Sequence, residues 1–473
     1  MAKKFYVTTA IDYVNAKPHI GHAFEKTLAD AISRWHRLKG EKVWFLTGTD
    51  ENAQKNLQAA KEAKIPVKAF VEKNSNLFIE LCKKLNLSND DFIRTTEERH
   101  VKVSKEIIKK AYENGDIYKK NYEGLYCSGC EAYKTEKDLV DGKCPEHPNR
   151  EISLLKEEAY FFKLSKYKNK VEKFVSKCVV PESRKKEILF RLKEDELKDL
   201  CITRKNSEWG IDFPIDKNFK VYVWFDALIN YVSGANGNWP ADLHVVGKGI
   251  NWFHSVIWPA ILLSARYELP NKVLVHGYLN LQGQKISKSL GNVIDPVDLI
   301  NKYGSDAVRY SLLRCAVFED SDYSEEILIE RNNKELADKF GNLISRVATL
   351  AEKYGIEKCQ NKLLKKLKLK EIEKYFERYE LDKALSEIFS FIDTCNEYVQ
   401  SKKPWETQDK KVLYELCDSI KAVGILLSPF IPTTSEKIAK QFGFKIDYKE
   451  IEKPLKIGKI KKLEILFKKV EYK

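Results

Sequence analysis

The sequence predicts an α/β protein in which a doubly wound parallel sheet is split by an insert and followed by an all-helical second half. Three observations predict it: a strand-helix-strand pattern at the start of the chain, its return near residue 244, and helical periodicity from Pro296 onward. At 473 residues the chain is too long for one hydrophobic core, and about 150 residues per domain implies roughly three.

Taken in order, 5–11 reads as a buried strand, 24–38 as an amphipathic helix closed by Gly40, and 43–47 as a second strand. The pattern resumes with a strand at 244–247, a helix over about 251–265 and a strand at 273–277. Between them, 115–222 differs in character and holds three of the ten cysteines at close spacing, which suits a separate small domain. Helices are expected near 297–313, 325–354, 371–399 and 410–427, and the six lysines of 358–370, with no acid among them, mark a loop or helix junction. The expected limits are 1–114 and 223–294 for the two halves of the sheet domain, 115–222 for the insert, 295–340 for a helical linker and 341–473 for a helical domain.

A net charge of +14 favours a polyanionic partner such as nucleic acid, because lysines that neutralise phosphates release counterions. A solvated face is the simpler account of any single charge run. No apolar stretch approaches the roughly 20 residues of a spanning helix, and the N-terminus passes straight into a strand without a signal-peptide core. A cytoplasmic protein without membrane association is therefore expected.

His19-Ile20-Gly21-His22 lies between the first strand and the first helix, where backbone N–H groups and the helix dipole favour anions. Gly21 permits close approach of a ligand, and the two imidazoles can donate to phosphate oxygens. Lys285-Ile286-Ser287-Lys288-Ser289 follows the last candidate strand in a glycine-bounded loop, where two lysines could close on a triphosphate. Taken singly, the first motif is a weak signal and the second reads equally as an exposed basic loop. Cys127, Cys130, Cys144 and His147 form a Cys-x2-Cys and Cys-x2-His pair with the spacing of tetrahedral structural zinc; redox pairing is the alternative.

Together the two nucleotide motifs resemble the HIGH and KMSKS signatures of class I aminoacyl-tRNA synthetases. Further segments are similar to the methionyl-tRNA synthetase family, over nearly the whole chain: Thr8-Thr9-Ala10-Ile11-Asp12-Tyr13-Val14-Asn15, Phe45-Leu46-Thr47-Gly48-Thr49-Asp50-Glu51, Val223-Trp224-Phe225-Asp226-Ala227 and Lys403-Pro404-Trp405. The resemblance implies a Rossmann-like catalytic domain, a connective insert with one structural Zn2+ and a C-terminal anticodon-binding domain. It implies activation of L-methionine by MgATP and transfer to tRNA(Met) with a CAU anticodon. His19, His22, Lys285 and Lys288 then act on the phosphates, and Gly21 and Gly247 complete the ATP site. Asp50 takes the substrate ammonium group, and Ile11, Tyr13, Trp224, Ala227, Tyr231, Ile250, Phe253 and His254 form the side-chain pocket. Trp224 and Tyr231, seven apart, are expected on one helical face. Asn342, Arg346 and Trp405 read the anticodon.

Several residues depart from the family pattern. Asp12 stands where an aromatic residue or proline is common, Asn52-Ala53 replaces His-Gly, Leu228 is a variant pocket residue, and Gly249 replaces an aspartate expected near the ATP ribose. Synthetases for leucine, isoleucine or valine fit poorly, because an insert of this size leaves little space for an editing domain. A cysteine enzyme would bind its substrate thiolate to a metal, and this metal set is saturated. A smaller nucleotidyltransferase would need neither insert nor helical half, and a tRNA-binding protein without catalysis would not need the four phosphate residues. No appended module follows Lys473, so a monomer is expected.

Overall fold

The computed structural model describes residues 3–471, apart from 128–131, 135, 146–147, 206, 282–283, 286–293, 459 and 463. Its central sheet has seven strands, all paired in parallel. The first four are β1 (Lys4–Thr9), β2 (Asp12–Tyr13), β3 (Lys42–Asp50) and β4 (Asp91–Arg94). The insert adds β5 (Ile117–Cys127), β6 (Ala132–Lys134), β7 (Ile152–Phe162), β8 (Val179–Val180), β9 (Leu200–Cys201), β10 (Thr203–Lys205) and β11 (Phe219–Val221). The sheet is completed by β12 (Leu243–Gly247) and β13 (Val273–His276), in the order β2-β3-β1-β12-β13-β8 with β4 also on β3. The order reverses between β1 and β12, and sheets of this kind bind ligands in the crevice outside the strand ends at such a point.

Between β1 and β3 runs α1 (Ile20–Leu38), longer at its start than periodicity alone predicts. Gly40, at φ +83°, ends it as expected.

Residues 115–222 are not one separate body. β5, β6, β7 and β9 form an antiparallel sheet, but Val179–Val180 returns to pair with Val273 and Leu274 at the edge of the central sheet. The flanking helices Lys168–Cys178 and Glu182–Glu194 put Val171, Phe174, Val175, Ile188 and Leu192 into the same core as Val273 and Val275. A two-residue edge strand has no periodicity from which its pairing could be read.

In the helical half, 410–427 is observed as Lys410–Leu427, capped by the Asp409 side chain. Three other expected helices are interrupted. Gly304, at φ +84°, divides Pro296–Tyr303 from Ser305–Leu313, and Tyr379, at φ +62°, stands between Leu369–Glu377 and Leu381–Lys402. Within 325–354, Asn332–Gly341 is wound as a π-helix between two α-helical segments. The basic stretch 358–370 holds a short 3-10 turn, Leu363–Lys366.

The helical half does not form an isolated core. Phe5, Val7, Leu28, Ile32 and Trp35 share one hydrophobic cluster with Phe340, Phe376, Leu385 and Leu426, and Trp35 stacks on Phe376 with centroids 3.9 Å apart. Buried Arg309 ties the layers together through Asp30 at 2.7 Å and the carbonyls of Leu85, Pro429 and Phe430. A boundary at 340 or 341 therefore crosses packed side chains, because α1 buries one face on the sheet and another on the helices.

Candidate active site

His19 is the N-cap of α1 and has extended backbone angles. Its Nδ1 accepts from the Gly21 N–H at 3.1 Å, while the His19 N–H donates to Nδ1 of His22 at 3.0 Å. This capping box uses imidazole acceptors in the place of a hydroxyl and a carboxylate. With both Nδ1 atoms accepting, each neutral ring carries its proton on Nε2. The rings lie 3.8 Å apart, and His22 rests edge-on against buried Phe78. Two Nε2–H donors are thus held at a helix N-terminus, where developing negative charge is also favoured by the dipole. A Cβ at position 21 would come within about 3.0 Å of the His19 ring, so any larger residue would press on the capping imidazole.

A second site lies at the carboxyl ends of β1, β3 and β12. Ala10, Ile11, Tyr13, Asp50, Trp224, Ala227, Leu228, Asn230, Tyr231, Ile250 and His254 enclose a cavity of about 20 Å³. That is room for about one water molecule. A larger apolar side chain can enter only as the surrounding rings separate. Phe253 is not among the lining residues. It stacks on Trp224 at 3.8 Å, and Tyr13 meets Trp224 edge-on at 6.1 Å. Trp224 and Tyr231 reach the cavity from two short helices, Val223–Ala227 and Asn230–Ser233, and not from one continuous face.

Asp50 ends β3, is 3% exposed, and accepts from the Asn52 N–H at 3.3 Å. Asn52 in turn donates to Asp226 at 2.7 Å, and Asp226 also meets His100 at 2.7 Å and Ser104 at 3.0 Å. Sequence reasoning missed this buried network, which joins the anionic end of the cavity to the helix bearing Trp224 and Ala227. One signal was present, since Asp226 is the only acid in the apolar run from Val221 to Leu228. Asn52 thus keeps Asp226 paired.

His254 lines the cavity, and His244 lies buried beside Tyr231 and His254. Nδ1–H of His254 donates to the Ile250 carbonyl at 2.9 Å, leaving Nε2 to accept from the Tyr231 hydroxyl at 2.6 Å. Burial pushes the His254 pKa down to about 4 and the His244 pKa well below its ordinary value. The unfolded chain takes up these protons near pH 6.5, whereas the folded form resists them. Stability is therefore full above about pH 6.5 and is lost as pH falls toward 4, by roughly 3 kcal/mol for His254 alone. Urea midpoints are expected to drop across that window. A midpoint as high at pH 4.5 as at pH 7 would contradict the assignment.

Gly247 closes β12, and Lys248 leads to the variant Gly249. A Cβ at 249 would collide with the Tyr278 hydroxyl, so the space of a longer side chain is already filled. Lys248 pairs with Asp320 at 2.6 Å, and a cleft of about 760 Å³ opens beside these residues toward Phe253, Trp252, Arg184 and Arg191.

Of the phosphate-loop lysines, Lys285 lies in the short strand Gln284–Lys285, and Lys288 lies outside the described residues. Cys127 ends β5 and, like Cys144, is fully buried; Cys130 and His147 lie outside the described residues. Among the described residues no cluster of three metal-ligating groups occurs.

Asn342 and Arg346 lie one turn apart on the helix Asn342–Tyr354, with Asn342 exposed. Arg346 donates to Asn396 at 3.1 Å on the helix Leu381–Lys402. That helix ends at Lys403 in a left-handed conformation, and Pro404 starts the short helix Pro404–Thr407 that carries Trp405, 36% exposed. Trp405 thus has free ring surface suited to stacking on a base.

The family model for class I (M) tRNA synthetases matches residues 5–153 and 148–348, and the model for the anticodon-binding domain of tRNA ligases matches 360–464. The chain is 42% identical to the methionine–tRNA ligase of Clostridium acetobutylicum, over 94% of this chain and 74% of that one. It is 41% identical to the Thermotoga maritima enzyme of the same name, over 96% and 76%. Among solved structures it is similar to Mycobacterium tuberculosis methionyl-tRNA synthetase in complex with methionyl-adenylate (TM-score 0.94, 35% identity, 98% of this chain and 99% of that one). The apo form of the same enzyme matches with a TM-score of 0.87 at 32% identity, over 100% and 99%. Matched by both family models and by these relatives over almost its whole length, the chain belongs to the class I aminoacyl-tRNA synthetases, in the methionyl-tRNA synthetase family.

Proposed function

We propose that the chain activates L-methionine with MgATP and transfers it to tRNA(Met). The observation that carries this reading is the pair of sites at one end of the sheet: two Nε2–H donors at the start of α1, and a cavity with Asp50 at one end and aromatic rings around it. In the first step a methionine carboxylate oxygen attacks the α-phosphorus of ATP, and the bond to pyrophosphate breaks. The protein's contribution is alignment and charge stabilisation. His19 and His22 donate to the phosphate oxygens, Gly21 and Gly247 allow the nucleotide to approach, and Lys285 and Lys288 neutralise the departing pyrophosphate. Asp50 holds the ammonium group. Trp224, Tyr231 and the rest of the cavity wall surround the thioether, a polarizable group that aromatic rings favour. In the second step the terminal ribose hydroxyl attacks the adenylate carbonyl and AMP leaves.

Asn342, Arg346 and Trp405 are assigned to the CAU anticodon by hydrogen bonding and stacking. The domain scheme keeps 1–114 and 223–294 as the catalytic halves, with the insert contributing β8 to their sheet. We take the working form as a cytoplasmic monomer. Among the described residues no helix is long and apolar enough to cross a membrane.

Methionine-dependent exchange of pyrophosphate into ATP, assayed against all twenty amino acids, tests the proposal. Exchange with a different amino acid would replace the methionine assignment, and none at all would remove the activity.

The insert is assigned one structural Zn2+ on Cys127, Cys130, Cys144 and His147. Full burial of Cys127 and Cys144 fits thiolates withdrawn into a closed site, and three thiolates with one imidazole leave no open position for water. Elemental analysis should find one zinc per chain, and chelation should lower the melting temperature. Unchanged melting of metal-free protein would count against the knuckle.

A further inference from the structure

Asp12 and Lys26 form a buried ion pair directly beneath the histidine pair, and the reading above gives neither a role. Side chains alternate along a strand, so Ile11 and Tyr13 face the cavity while Asp12 projects to the other side, toward the first turns of α1. There its Oδ2 meets the Lys26 ammonium group, and its Oδ1 lies 3.8 Å from His22 Nε2. The Lys26 side chain is 0% exposed and that of Asp12 is 7% exposed. His22 and Lys26, four residues apart, occupy one face of the helix.

The geometry sets Asp12 against the anion that the histidines are placed to receive. His22 accepts the capping hydrogen bond through Nδ1, so Nε2–H is its donor toward a phosphate, and that is the atom nearest the carboxylate. An uncompensated charge at Asp12 would draw this donor away and repel the phosphates. We propose that Lys26 is a positioning residue that neutralises Asp12 and thereby keeps His22 available to ATP. Burial works against the Lys26 charge, but Asp12, Cys82 and Glu25 together raise its pKa. Glu25 is otherwise engaged with His276 at 3.0 Å, and burial pushes the Cys82 thiol up to about 12, so it stays neutral. Burial pushes the Asp12 carboxyl up and the Lys26 ammonium group beside it pulls it back down, and by direct contact Asp12 is the carboxylate that Lys26 opposes.

A purely structural pair and an electrostatic one differ in sign. Removing either partner leaves a buried charge alone and should lower stability in both cases. The effects on ATP should be opposite. Lys26→Met is expected to raise the KM for ATP roughly tenfold, as one unpaired negative charge a few ångströms from the phosphates would. Asp12→Asn should leave that KM at or below the wild-type value, and the double variant should return at least threefold below Lys26→Met. The KM for methionine should move less than twofold, because its cavity lies on the other side of β2.

The inference rests on the proposed activation of methionine, and methionine-dependent exchange by the wild-type chain is the control that separates the two. If the control fails, that activity fails. If the control succeeds, a rise in the KM for ATP in Asp12→Asn, or none in Lys26→Met, overturns the role of the pair. Should Lys26→Met not fold, Asp12→Asn decides alone: a KM for ATP at or below wild type supports the role, and a rise overturns it.

Discussion

Asparagine at position 19 is expected to lower kcat for pyrophosphate exchange by on the order of a hundredfold without lowering the melting temperature. The reason lies in the double duty proposed for His19, whose Nδ1 caps α1 while its Nε2–H is the donor assigned to phosphate. Asparagine is among the best N-cap residues, so it keeps the first duty and removes the second. Losing one preorganised donor to developing charge costs about 10² to 10³ in rate. His19→Ala should lose the same activity and about 1 kcal/mol of stability besides. The parallel change His22→Gln keeps the capping box, because glutamine suits the third helical position. Its kcat should fall less than that of His22→Ala. Lys288→Ala belongs in the same series, assayed at saturating methionine. Should His19→Asn retain full kcat, the histidine pair would be a cap and nothing more.

Asp50→Asn is expected to raise the KM for methionine about a hundredfold while leaving the KM for ATP nearly unchanged. Removing one partner of a desolvated charge pair costs about 2 to 5 kcal/mol, and Asp50 is almost fully buried. Asparagine still offers an oxygen to the Asn52 N–H, so the turn after β3 and the link to Asp226 should persist. Asp50→Glu should not restore affinity, since its longer side chain would push the carboxylate into a cavity of about 20 Å³. Titration calorimetry with methionine and separate KM values from exchange would measure both effects. A methionine KM within threefold of wild type would move the ammonium site elsewhere.

Local signals carried far where the physics was local. Helix Lys410–Leu427 was legible because Asp409 caps it and its apolar positions repeat without a break. The helix 371–399 was not, because the interruption at Tyr379 needs a left-handed residue that no glycine announces. The π-helix Asn332–Gly341 has no composition of its own. Asp50, Trp224, Tyr231 and His254, expected together from family resemblance, line one cavity, which no periodicity announces. Phe253, expected in the cavity wall, stacks on Trp224 and is not among the lining residues, since which ring faces inward depends on packing between segments distant in the chain.

Sequence by itself determined the order of the architecture: a sheet opened by the histidine motif, an insert with clustered cysteines, and a helical half led by apolar periodicity. These properties are written in neighbouring residues. Tertiary structure alone decided that Val179 and Val180 rejoin the central sheet, that the helical half shares its core with α1, and that Tyr278 fills the space beside Gly249. It also decided that Asp12, a departure from the family pattern, is answered by Lys26 across the first turns of α1. Each of these depends on which groups meet when segments far apart in sequence bury their surfaces together, and a buried charge shows its role only once its partner is known.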